Sequence, residues 1–385
     1  MNSVKDQPKV SAFKTKLKSY KFYLGFIVKN PFLIFRLIKN YYKIFVLKQR
    51  VIRAVDISIT AACNAKCEHC CIDATVDMRN AQGRESRQHQ RPMGIDEIKS
   101  YIEQAAQMGA VVFNFLGGEP LVYKHIYDAI RCVKKNHGIA GMSTNGYLLS
   151  QDVVTKLKKS GLDVIQVDLG GAINPDEIDE IRKLKGCYER AINGIALLKK
   201  AGIKVILSTI MTKKNIANGE IWQAVQLAKD LDLKINVNCS ARVGGWSKQQ
   251  DSELNAEEWN VYQEIRKQTH TRWAGSTNYT NEFCPCGTEK ILISPYAEVQ
   301  PCGLMPISYG NLNKEKLNTV WNRMMKNEIV CDGNQKKSCR AAWDKKIIEI
   351  NKHIYSSEGI KPMPVEQIPK EVINGEQVQK HSKAQ

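Results

Sequence analysis

Cys63-Asn-Ala-Lys-Cys67-Glu-His-Cys70 places three thiols, with Cys71 directly behind them, inside nine residues. Three thiolates from one short loop can wrap a cuboidal four-iron cluster and leave one iron without a protein ligand. An open coordination site is what a catalytic metal centre requires. Zinc is the competing metal, but it needs a fourth protein ligand, and Cys71 or His69 could supply one only by distorting a very short loop. A second set, Cys284, Cys286, Cys302, Cys331 and Cys339, lies near the C-terminal end. The chain shows no compact apolar core followed by a small-residue cleavage site. The cysteines are therefore read as metal ligands of a cytoplasmic, oxygen-sensitive protein and not as a disulfide framework.

The elements that must position these thiols follow from the apolar pattern. Candidate strands are 55–60, 111–116, 139–143, 163–169, 203–210 and 233–238. Helical patterns at 94–107, 124–136, 150–160, 188–200 and 218–231 lie between them. Six βα repeats give an α/β fold with a parallel sheet, open or curled into part of a barrel, and in both forms ligands gather at the C-terminal ends of the strands. The first cysteine loop stands at such an end. So do Gly117-Gly118-Glu119-Pro120 after the second strand, Asn145 after the third, Asp168 after the fourth and Ser208 late in the fifth. Two glycines let backbone approach a ligand closely; Asn and Asp at strand ends also serve as ordinary turn and cap residues. Cys239 sits just past the sixth strand, where a thiol is either a small buried hydrophobe or a group facing the site. Beyond it, a Cys- and Pro-rich segment reads as a hairpin (291–294 and 298–300) and a helix at 314–325. From 357 the composition turns polar, and residues 346–385 are expected to form a mostly disordered tail.

The net charge is +18, and its distribution is uneven. Residues 1–53 carry thirteen Lys or Arg against one acid, Asp6, a net +12. Asn30-Pro31 opens a helical pattern that runs to Leu47, with Arg36, Lys39 and Lys43 on one face and a broad aromatic and aliphatic face beside them. Such a helix either lies in a membrane interface, through residues 12–48, or packs on its own domain with its cations solvated. No apolar run reaches about 18 residues, so no helix is expected to span a bilayer. Basic residues concentrated on an apolar arm do not make a nucleic-acid groove, and no nucleic-acid partner is expected.

Cys-x3-Cys-x2-Cys after the first strand of a six-fold βα repeat, with Gly-Gly-Glu-Pro one strand later, resembles the radical S-adenosylmethionine (SAM) superfamily. The resemblance implies a partial (βα)6 TIM-like barrel over 54–280, with Cys63, Cys67 and Cys70 as ligands of a [4Fe-4S] cluster. In that family the open iron chelates the amino and carboxylate groups of SAM. An electron then cleaves the sulfonium to methionine and a 5′-deoxyadenosyl radical that abstracts hydrogen from substrate. It further implies that Gly117, Gly118 and Glu119 meet the SAM ammonium, and that Asn145, Asp168 and Ser208 meet its ribose or carboxylate. The stretch 179–215 looks like the equivalent region of SPASM-type members. Cys284-Pro-Cys286-Gly287, Ile291–Pro295 and Val299–Cys302 are similar to the SPASM/twitch extension, here 281–345. That similarity implies an auxiliary [4Fe-4S] cluster on Cys284, Cys302, Cys331 and Cys339, with Cys286 as alternate ligand; a zinc knuckle is the competing reading. An electron donor such as flavodoxin or ferredoxin is implied as partner. Cys239 is a candidate hydrogen donor, as in radical epimerases. The reaction expected is oxidation, epimerisation or bond formation on a small-molecule or lipid-linked substrate. Maturation of a ribosomal peptide is the alternative, and RNA modification ranks below both.

Overall fold

In this computed structural model, residues 24–28, 30–249, 253–273, 278–279, 283–331 and 339–375 are described, the Cys331 side chain excepted. The strands β1 (Ala54–Ser58), β2 (Val112–Leu116), β3 (Ile139–Thr144), β4 (Val164–Asp168), β5 (Lys204–Met211) and β6 (Lys234–Cys239) stand in chain order and are all parallel. All six expected strands and the five helices between them are present, their ends within two residues of the expected ones. β7 (Thr271–Arg272) extends the β6 edge. β8 (Lys290–Ile293) returns to pair in parallel with β1, and β9 (Val299–Gln300) folds back antiparallel on β8 as the expected hairpin. The result is an α/β fold, a partial (βα)6 barrel with a Cys-rich C-terminal extension seated on its β1 edge.

Side-chain alternation shapes the barrel. In β2 and β4 the outward residues Phe113, Phe115, Ile165 and Val167 are fully buried in the main core. A Phe→Ala change at 113 or 115 would cost about 3–5 kcal/mol. The concave side is polar instead: Asn114 donates to Ser143 (3.3 Å), Asn236 to Gln166 (3.3 Å) and Asn238 to Ser208 (3.1 Å). These ladders satisfy buried amides while leaving a wettable floor at the strand ends. The outer helices carry their own start and stop signals. Ile95–Met108 begins with Glu97 accepting from the Gly94 amide and ends at left-handed Gly109, laying Ile98, Ile102 and Ala105 on the sheet.

Two expectations need correction or refinement. The tail is folded at least to residue 375: helix Lys345–Ser356 buries Ile347, Ile350 and Ile354. β11 (Met363–Pro364) pairs with β10 (Ile307–Ser308), and helix Lys370–Asn374 buries Val372 and Ile373. Its apolar residues are few but correctly spaced, so composition understated them. The residues of that expected tail beyond 375 lie outside the described residues. The N-terminal helix, Phe32–Phe45, packs on the barrel through Leu33, Leu37 and Asn40 and leaves its other side exposed, which is the packed-arm reading, except that Arg36 is not solvated but donates to the carbonyls of Ala110 and Asn136.

Candidate active site

The loop after β1 carries Cys63, Cys67 and Cys70, and its shape is imposed by three neighbours. The Gly118 and Glu119 amides donate to the carbonyls of Thr60 (2.7 Å) and Ala62 (2.9 Å). A Cβ on Gly118 would stand 1.9 Å from the Ala62 oxygen, so the cysteine loop's own backbone requires a glycine at 118. On the other side Lys66 and Glu68 donate to the carbonyls of Arg182 and Ile181. From above, the loop after β6 presses down: Gly245 donates to the Cys70 carbonyl (2.8 Å), and a Cβ on Gly244 would meet the same oxygen at 2.1 Å. Tyr355, from the segment expected to be disordered, locks this stack by accepting from the Gly244 amide and donating to Asp73, both at 2.7 Å.

Sulfur acceptors already have donors aimed at them. Ala65 N–H points to Cys63 Sγ and Arg182 Nη1 to Cys67 Sγ, each at 3.4 Å. Burial pushes the Cys63 thiol up to about 12 and raises Cys70 as well. Such thiols ionise in place only when a cation compensates them. Among the described residues no three His, Cys, Asp or Glu side chains close around a single ion position. The three thiols line one wall of a cavity of about 380 Å³. Among the residues lining it, His69 Nδ1, Arg79 Nε, Arg182 Nε and Ser240 Oγ are buried and find no hydrogen-bond partner among the described residues. Three thiols, two of them with donors toward their sulfurs, beside unpartnered polar atoms, fit an iron–sulfur cluster and a polar ligand.

Of the strand-end residues expected to hold SAM, Gly117, Gly118, Glu119, Asn145 and Asp168 line this cavity, whereas Ser208 is fully buried beneath it and does not; most are already engaged. Glu119 is 1% exposed and accepts from Thr144 Oγ1 (2.8 Å), Asn145 N (3.0 Å) and Leu121 N (3.2 Å). A carboxylate accepts about four hydrogen bonds, so one place remains for a ligand. Burial pushes its carboxyl up despite those donors. Asn145 spends its amide on Asn64 Oδ1 (2.9 Å) and its carbonyl oxygen on Tyr147 N (3.0 Å), bracing the cysteine loop. Asp168 accepts from Arg182 (2.6 Å), Ser208 (2.8 Å) and Gly170 N (2.9 Å). Burial works against its charge, yet Arg182, His69 and these donors hold its carboxyl below the ordinary range. Asp168 thus ties Arg182 and Ser208 together below the site. Burial and the Arg182 charge also hold His69 down to about 4, so its imidazole is neutral.

The second cysteine group lines the same cavity. Cys284, Cys286, Cys302 and Cys339 all line it, and Cys286 lies within hydrogen-bond reach of both Cys284 and Cys302. Cys239 joins them beside Tyr262, its thiol raised by burial to about 12. Cys331 stands on helix Glu328–Cys331, with its side chain outside the described residues. Between the two groups Lys290 Nζ meets Asp56 at 2.7 Å, an ion pair lining the cavity. Sequence reasoning missed Arg182, Lys290 and Asp56 as site residues. For Asp56 a signal existed, since a lone acid inside the apolar run VDISIT has to be paired or functional.

A barrel whose first loop offers three thiols to an open cavity defines the radical SAM class, and the comparisons agree. Residues 57–228 match the profile of the Radical SAM superfamily, and the chain is a member of it. It is 24% identical over 298 residues to an AdoMet-dependent heme synthase of Methanosarcina barkeri, covering 70% of this chain and 82% of that one. It is 28% identical over 188 residues to a GTP 3′,8-cyclase of Petrotoga mobilis, covering 48% and 55%. The solved structure of Streptococcus suis SuiB bound to S-adenosylmethionine superposes with a TM-score of 0.54 at 17% identity, over 74% of this chain and 68% of that one. The protein is thus a radical SAM enzyme, and the family's [4Fe-4S] cluster and SAM are its cofactors.

Proposed function

We propose that this enzyme performs radical chemistry on a compact, water-borne small molecule held between two iron–sulfur centres, one on Cys63, Cys67 and Cys70 and one on the Cys284–Cys339 group. The observation that carries this reading is the single cavity lined by both cysteine groups. When bound, the first cluster and SAM supply an electron and the 5′-deoxyadenosyl radical that abstracts hydrogen. The chain's own residues do the rest. Glu119 offers its free acceptor position to the SAM ammonium, while Arg182, held by Asp168 and Ser208, keeps a guanidinium against Cys67. Trp246, Tyr262, Trp273, Leu304 and Met305 give the cavity apolar walls that limit water, and Gln166, Asn238 and the Asp56–Lys290 pair give it a polar side to orient substrate. A pocket of this size suits a small ligand. Cys239, which lines the cavity with the second group, is read as a hydrogen donor or as an alternate ligand there.

Peptide maturation is the second reading, since SuiB has also been solved bound to the precursor peptide SuiA with a TM-score of 0.55. Flavodoxin or ferredoxin serves as the expected electron donor. The two-centre reading is tested by iron content. Anaerobically reconstituted protein should hold about eight irons per chain, and Cys302→Ala about four, with 5′-deoxyadenosine release retained. About four irons in the unaltered protein would remove the second centre.

A further inference from the structure

Helix Phe32–Phe45 is fixed to the barrel along one side. Leu33 and Leu37 join a core with Val51, Val111 and Ile139. Arg36 donates to the carbonyls of Ala110 (2.9 Å) and Asn136 (2.7 Å), and Asn40 to the Gly109 carbonyl and the Tyr279 hydroxyl. These anchors immediately precede β2 and β3, so the helix crosses the end of the barrel opposite the cysteine loop. Its outer side is apolar and open: Phe35 is 67% exposed, Ile38 59% and Tyr42 54%. Leu24 and Val28 before the helix and Val46 and Leu47 after it are exposed as well. An apolar patch of this kind on a folded chain marks an interaction surface.

Charge selects the partner. The first 53 residues carry a net +12. At the same end of the barrel Lys204, Lys234 and Arg272 stand on β5, β6 and β7, with Lys204 Nζ 5.5 Å from the Phe26 ring. Two carboxylates there, Asp163 and Glu289, are tied to Lys134 (2.6 Å) and Arg53 (3.2 Å). A second copy of this chain would set Lys39, Lys43 and Lys48 against the same cations and be repelled. No helix of the described residues is long and apolar enough to cross a membrane. A basic helix with one aromatic face suits the headgroup layer instead. We propose that this face docks the enzyme on an anionic lipid surface, with Phe35, Ile38 and Tyr42 toward the acyl chains and the cations among the headgroups. The cysteine loop is then held roughly 17 Å or more from the bilayer by the length of the strands, and the site opens toward water. That orientation favours a soluble substrate over one embedded in the bilayer, and it stands independently of which reaction the site performs.

The test is co-sedimentation of the full chain with vesicles of phosphatidylglycerol and phosphatidylcholine, and with phosphatidylcholine alone. The unaltered protein should bind the anionic vesicles and not the neutral ones. Each cation near an anionic surface contributes about fivefold, so Lys39→Gln/Lys43→Gln/Lys48→Gln should bind on the order of 100-fold more weakly. Phe35→Ser/Ile38→Ser/Tyr42→Ser should lose binding while keeping its circular dichroism and iron content, because these side chains are exposed. The proposal is overturned if the unaltered protein stays in the supernatant, or if both variants bind as it does. It is overturned equally if the apolar variant converts a dimer to a monomer in gel filtration while vesicle binding is unchanged.

Discussion

Replacing Arg182 by Met removes the cation beneath Cys67. The Arg182 side chain is 4% exposed and that of Asp168 25%, with 2.6 Å between them. Breaking a buried ion pair from one side costs about 3–5 kcal/mol, because the remaining charge is left uncompensated. The lower end applies, since Asp168 keeps Ser208 Oγ and Gly170 N as donors. The lost donor to Cys67 Sγ adds about 1 kcal/mol, so the expected loss at neutral pH is about 4 kcal/mol. The pH dependence is also determined. In the native protein the Asp168 carboxyl titrates below its ordinary value. Its contribution is thus present above the unfolded carboxylate range and is lost as the pH falls through the folded value. In Arg182→Met burial acts without the cation, the carboxyl titrates above its unfolded value, and its charge opposes folding until acid protonates it. The stability gap between the two proteins should narrow from neutral pH toward the carboxylate range. Urea unfolding of the anaerobic apo-protein, followed by circular dichroism, measures the gap. The double variant Arg182→Met/Asp168→Asn should recover more than half of it. A loss below about 1 kcal/mol at neutral pH, or a gap that does not narrow in acid, would refute the reasoning.

Further outcomes follow from individual contacts. Glu119→Gln should weaken SAM binding by about 10- to 150-fold, the value of one hydrogen bond to a charged group, measured by calorimetry at unchanged iron content. Gly118→Ala forces the Ala62 carbonyl and the cysteine loop aside, so iron content should collapse while circular dichroism is kept. Asp73 is raised to about 7, chiefly by burial, so its charge costs stability as the pH rises from the unfolded carboxylate range toward 7. Asp73→Asn should therefore be more stable than the unaltered protein above neutrality, with the difference fading in acid, in denaturant titrations of apo-protein.

The barrel was legible because each strand is a short apolar run ended by a turn residue, and each helix has its own period. Cys63, Cys67 and Cys70 were legible because they are adjacent in sequence. What sequence reasoning missed depends on contacts between distant segments. Nothing local reveals that Arg182 reaches Cys67, or that Tyr355 clamps the loop nearly 300 residues before it. The backbone requirement at Gly118 was hidden, because a packing partner and a ligand ask for the same missing Cβ. The tail was misread because its few isoleucines are outnumbered by polar residues, although Ile347, Ile350 and Ile354 share one helical face.

The central claim is that Cys63, Cys67 and Cys70 hold the cluster that starts the reaction. Anaerobically reconstituted protein, given SAM and a strong reductant, should release 5′-deoxyadenosine, and Cys67→Ala should release none. Continued release from Cys67→Ala, or none from the unaltered protein carrying a full complement of iron, would contradict it.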